Sequence, residues 1–160
     1  SSSAASDVYK RQKELYEDVQ DEVKAIEETL ERLREIKNKF DPQVKDYCLE
    51  PAMGTYLMNF YNGVENILKR ISKEYYHAMP KGDSWHKELL ILSCNPPKGK
   101  SAIFSQSIVE KLNPYRNFRH RFVSGYGFQL KGEKMLELID NIGPLWDDIK
   151  KAIADFWDRL

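Results

Sequence analysis

Apolar side chains between Lys13 and Phe40 stand at Leu15, Val19, Val23, Ile26, Leu30, Leu33, Ile36 and Phe40. Steps of three and four are the period of one helix face, so the spacing predicts a long amphipathic helix with a narrow stripe. Asp41-Pro42 ends it, because proline drives the preceding residue out of helical conformation. A second helix is predicted over residues 51–76, with Tyr56, Phe60, Val64, Ile67, Ile71 and Tyr75 on one side. Pro80, Gly82 and Asp83 form a turn, and Ser84 reads as the N-cap of a shorter helix reaching Leu92.

Asn95-Pro96-Pro97-Lys98-Gly99 is a loop, and Ser107 with Glu110 three residues on reads as a capping box opening a fourth helix. Residues 125–131 loosen that helix. Residues 133–160 supply a last one, with a bend expected near Gly143-Pro144. With no internal repeat and no strand pattern, the expected class is all-α, an up-and-down bundle of about five helices with short antiparallel connections.

The opening SSAASDVYKRQ reads as the translation of a sequencing-library adapter, so residues 1–12 are set aside as non-native. Residues 13–160 are taken as a single domain, which is enough chain for one sizeable core. Cys48 and Cys94 form no CxxC pair, which argues against a disulfide framework or structural zinc. No apolar run approaches the roughly 20 residues of a membrane span. The expectation is a cytoplasmic protein with reduced thiols, no cofactor, no metal and no membrane partner.

Net charge is zero, so bulk charge announces no polyanion. Its distribution does more. Residues 13–50 hold 12 acids and 7 bases, a net of −5; residues 98–132 hold 7 bases against Glu110 alone, a net of +6. A solvated face explains many charge runs. Here aromatics and His120 are interleaved with the cations, a mixture suited to a phosphate backbone and unstacked bases.

Two motifs are decoys. LLILSCNPPKGKS, residues 89–101, ends like a P-loop at Gly99-Lys100-Ser101, but the required earlier glycine is Cys94 and no parallel sheet is foreshadowed. Glu74-x-x-His77 is half of a di-iron bundle motif whose second copy is absent. The third candidate is NFRHRFVSGYGFQL, residues 117–130. At about 100° per residue, Arg116, Arg119, His120, Val123 and Tyr126 fall within about 120° of arc, with Phe118 and Phe122 towards the opposite side. Arginine forks suit phosphate, and a histidine can move a proton near neutral pH. RNA cleavage by 2′-hydroxyl attack needs no metal, only a proton-moving group and a cation at the developing charge. One helix face cannot surround a phosphate; two copies across a twofold axis could. Lys111 and Arg121 are further candidate phosphate contacts. Solvated arginines beside a buried histidine are the purely structural reading of the same residues.

FYNGVENILKRI (60–71), PKGDSWHKELL (80–90) and FRHRFVSGYGFQL (118–130) together resemble the HepT-like branch of the HEPN superfamily, over about Leu15 to Leu160. The resemblance implies an all-α homodimeric ribonuclease toxin of a type II toxin–antitoxin pair, acting on single-stranded RNA without metal. Its expected partner is a nucleotidyltransferase-type antitoxin. The family signature, arginine, four residues, histidine, one residue, tyrosine, falls on Arg119, Ser124 and Tyr126. Arg119 is then the phosphate contact and Tyr126 the tyrosine modified by the partner enzyme. Serine cannot shuttle a proton near pH 7. Either His120 takes that role, or the chain is a degenerate module that binds RNA or a nucleotidyltransferase without cleaving. A shifted register through Arg116-Asn117…His120 is one residue too short.

Overall fold

The computed structural model describes residues 2–126, the side chain of Tyr126 excepted, and residues 132–160. The expected loosening over residues 125–131 therefore lies, from 127 on, outside the described residues. Five α-helices follow one another: α1 (Ser2–Lys39), α2 (Leu49–Ile71), α3 (Trp85–Cys94), α4 (Gln106–Arg121) and α5 (Gly132–Arg159). Two short π-helical segments, Ser72–Tyr76 and Phe122–Tyr126, extend α2 and α4. No strand occurs among the described residues, so the all-α bundle expected from periodicity is the architecture found.

α2 is the centre, packed against α1, α3, α4 and α5. The stripe read for it is one side of a helix enclosed almost all round: Met53, Leu57, Tyr61 and Leu68 are as buried as Phe60, Val64, Ile67 and Ile71. A helix apolar on nearly every face belongs inside a bundle, not on its surface. α1 buries Leu15, Val19, Ile26, Leu30 and Leu33 along its predicted stripe and leaves residues 2–14 exposed. Phe60, Tyr115 and Trp146 meet edge to face, joining α2, α4 and α5. Tyr115 also donates to the Leu138 carbonyl at 2.6 Å.

Several helix boundaries differ from expectation. α4 is capped by Ser105, whose hydroxyl accepts from the Ile108 amide at 3.2 Å, so the capping box assigned to Ser107 is two residues too late. The start of α2 is capped by Asp46, whose Oδ1 accepts from the amides of Cys48 and Leu49 at 2.8 Å each. Those amides, Leu49 first, hold the Asp46 carboxyl below its usual range. Ser84 is the residue before α3, but its hydroxyl bonds the Glu88 carboxylate and not a helix amide. α5 runs through Gly143-Pro144 as one helix.

The P-loop imitation dissolves in three dimensions. Trp85 to Cys94 is helix, and the loop after it is held by tyrosines of the π-helical segment. Tyr75 Oη accepts from the Ser101 amide, while Tyr76 Oη donates to the Ser101 carbonyl at 2.8 Å and accepts from the Ile103 amide at 3.1 Å. Amides already bonded to phenols cannot cradle a phosphate. His77 ends the same segment at a left-handed turn with φ of 51°, so it does not share a helix face with Glu74.

Candidate nucleic-acid interface

Arg116 and Arg119 project from α4, which packs on α2 and buries Ile108, Val109, Leu112, Tyr115 and Phe118. Phe118 is buried and stacks on Phe122, whose ring lies against Gly54 of α2. A methyl group at Gly54 would stand 2.6 Å from Phe122 Cε2, so the absent side chain is what lets the π-helical segment dock. The segment then breaks at Gly125, whose φ of 87° is left-handed.

Arg119 is half-buried, and its Nε donates to the amide oxygen of Asn62 on α2. Arg116, one turn earlier and also half-buried, donates from Nε to Asn113 Oδ1 at 3.4 Å. Among the described residues, neither arginine has a carboxylate within ion-pairing distance. Neutral amide acceptors orient a guanidinium without cancelling its charge, which leaves the remaining N–H donors for an outside anion. A purely structural cause also operates: Arg119, His120 and Arg121 occupy the last turn of α4, where cations offset the helix dipole by about 0.3–1 kcal/mol each.

The seven sequence-predicted site residues are not all brought together. Arg116, Arg119 and His120 share one side of α4. Lys111 and Arg121 lie on another, lining a groove of about 570 Å³ between α4 and α5 with Tyr115, Phe118, Leu138 and Leu145. Lys111 there is paired with Asp148 at 3.4 Å. His120 is exposed, so the alternative of a buried histidine does not describe it. Ser124 is exposed too, and its hydroxyl donates back to the His120 carbonyl at 2.7 Å, a local bond common for serine in a helical turn. The side chain of Tyr126 lies outside the described residues.

Sequence reasoning passed over a group on α2 and α3. Glu65 is 2% exposed, a carboxylate in the core, and His86 Nδ1 lies 2.6 Å from its Oε2. His86 stacks on Trp85 with ring centroids 3.6 Å apart, and Lys69 lies over the other ring of that pair, Trp85, at 4.6 Å. Tyr61 sits one helical turn before Glu65. Burial, reinforced by the Glu65 carboxylate, pushes its phenol far above the usual range, and Arg116 and Arg119 pull against that shift. Asn62 and Glu65, about one turn apart on α2, are thus the separate partners of Arg119 on α4 and His86 on α3. The signal available in sequence was a glutamate inside the apolar stretch GVENILKRI, a residue type almost never buried unless paired.

The fold and site define a class first: an all-α bundle presenting an unneutralised pair of arginines on a helix braced by neutral amides. A family model described as HepT-like protein matches residues 52–160, more than half of the chain, and the chain belongs to that family. The match takes in all three stretches that carried the resemblance and leaves α1 outside it. No curated protein and no solved structure matches the chain. Among the described residues, no helix is long and apolar enough to cross a membrane.

Proposed function

We propose that this chain is the toxin component of a type II toxin–antitoxin pair, a homodimer that cleaves single-stranded RNA without metal and is held in check by a nucleotidyltransferase-type antitoxin. The observation that carries this reading is Arg119, aimed by Asn62 and left without a carboxylate beside Arg116. Such a pair stabilises the charge that grows on a phosphoryl group as the 2′-oxygen attacks. Two copies facing one another would double the cation set and enclose the phosphate that one helix face leaves open. His120 and Ser124 remain on the solvent side of the same helix, and Tyr126 is the proposed site of modification by the partner enzyme.

The test is a labelled single-stranded RNA incubated with purified protein in excess chelator. Cleavage by the wild type that disappears in Arg119→Ala, together with loss of growth arrest on expression, supports the nuclease. A second reading, a module that binds RNA or the nucleotidyltransferase without cutting, is favoured by Ser124, since its hydroxyl is engaged by the His120 carbonyl. Under that reading wild-type protein leaves RNA intact, and Arg119→Ala only weakens a salt-sensitive association.

A further inference from the structure

A nuclease of this kind must take a proton from the attacking hydroxyl, and Ser124 cannot do so at neutral pH. We infer that His86, held by the buried Glu65, is the proton acceptor of this chain; the inference rests on the nuclease reading above. Three observations support it. A carboxylate only accepts hydrogen bonds, so the 2.6 Å contact puts a hydrogen on His86 Nδ1, and in the neutral ring the lone pair is then on Nε2. Stacking on Trp85 fixes the plane of the ring, yet 27% of the His86 side chain remains open to solvent. Finally, the turn of α2 that carries Glu65 also carries Asn62, the residue that aims Arg119.

His120 offers none of this. It is exposed and no carboxylate orients its ring among the described residues. A buried carboxylate is also costly to maintain as mere packing, because Glu65, a group that prefers water, has been placed in the core. Glu65 is thus a positioning residue for His86, in the way that an orienting carboxylate fixes the tautomer of a general base.

The step balances as follows. His86 Nε2 takes the proton of the ribose 2′-hydroxyl as O2′ forms a bond to phosphorus. The P–O5′ bond breaks, its electron pair stays on O5′, and O5′ takes a proton from water. The imidazolium returns its proton to solvent. The products are a 2′,3′-cyclic phosphate and a 5′-hydroxyl end, with charge on the phosphorane met by Arg119 and Arg116.

The experiment uses the full chain and a 5′-labelled single-stranded RNA in excess chelator. His86→Asn keeps an N–H for Glu65 and removes the basic nitrogen, so a folded protein with near-native thermal stability is expected. Its kcat should fall by about 100-fold or more, the usual worth of a general base, with KM within about threefold of wild type. Glu65→Gln, which keeps shape but not charge, should lower kcat by about tenfold with KM again little changed. His77→Asn, at the exposed end of the segment that follows α2, should keep kcat within about threefold, since that histidine takes no part in the step. If the wild type cleaves and folded His86→Asn cleaves equally well, or loses only KM, the assignment is overturned while the nuclease reading stands. If the wild type leaves RNA intact, both are overturned.

Discussion

Arg119 on α4 donates its Nε hydrogen to the side-chain oxygen of Asn62 on α2, across the interface where Phe60 meets Tyr115 edge to face. The bond ties the orientation of a cation to the packing of the bundle's central helix. An amide can do this without neutralising the charge. Aspartate at the same place could not.

That difference gives a sign test. Asn62→Ala removes the acceptor and should cost about 1–2 kcal/mol in urea unfolding, with RNA affinity reduced as the guanidinium loses its fixed direction. Asn62→Asp should leave stability equal or higher while weakening RNA association further than the alanine variant, because Arg119 is then paired internally. Equal RNA binding by Asn62→Asp and wild type would break the link between this contact and an anion.

Salt dependence separates the two sides of α4. Arg116→Ala and Arg119→Ala should each lower the slope of log affinity against log salt by about 0.7, the value for one phosphate contact to a single strand. Lys111→Ala should leave the slope unchanged, since Lys111 faces the α4–α5 groove and pairs with Asp148. Fluorescence anisotropy across a salt series reads all three.

Gly54→Ala should destabilise the bundle by about 1–3 kcal/mol, the usual cost of overpacking, because its new methyl meets the Phe122 ring. Pairing it with Phe122→Leu should recover part of that loss. A double variant no better than the sum of the singles would show that the contact is absent in solution.

At alkaline pH the buried tyrosines set the stability. Burial pushes the Tyr76 phenol from 10.0 up to about 12, and it moves Tyr61 and Tyr115 upwards as well. A raised folded-state value means the native protein keeps protons that the unfolded chain releases. Their contribution is complete below about pH 10, and stability falls as pH rises from there towards 12. Melting curves between pH 9 and pH 12 on the order of half-unit steps should show this decline, and Tyr76→Phe should make it shallower while costing about 1–3 kcal/mol at neutral pH for its lost bonds.

The stripes of α1 and α2 were legible because helical period is a local property: side chains three and four apart share a face whatever lies opposite. The same logic placed Phe118 inwards and the loop at Asn95–Gly99. Caps were less legible. Ser105 and Ser107 are equivalent as residue types, and only the φ of −79° and ψ of 163° at Ser105 make it the helix entrance. Asp46 was hidden because it caps from two residues before the N-cap position, Cys48.

Sequence by itself determined the helical class, the extent of the two long amphipathic stripes, and a cationic segment near Arg119, since each follows from residue type and short-range spacing. Tertiary structure alone decided which of those cations stand together. The turn of α4 sends Lys111 and Arg121 to the α5 side and Arg116 and Arg119 elsewhere, with Asn62 of α2 aiming Arg119. It also brought the buried Glu65 to a partly exposed His86, 21 positions along the chain. No periodicity encodes such a pairing: it exists because α2 is enclosed on nearly every face, and a carboxylate carried inside must find a donor on whichever helix covers it.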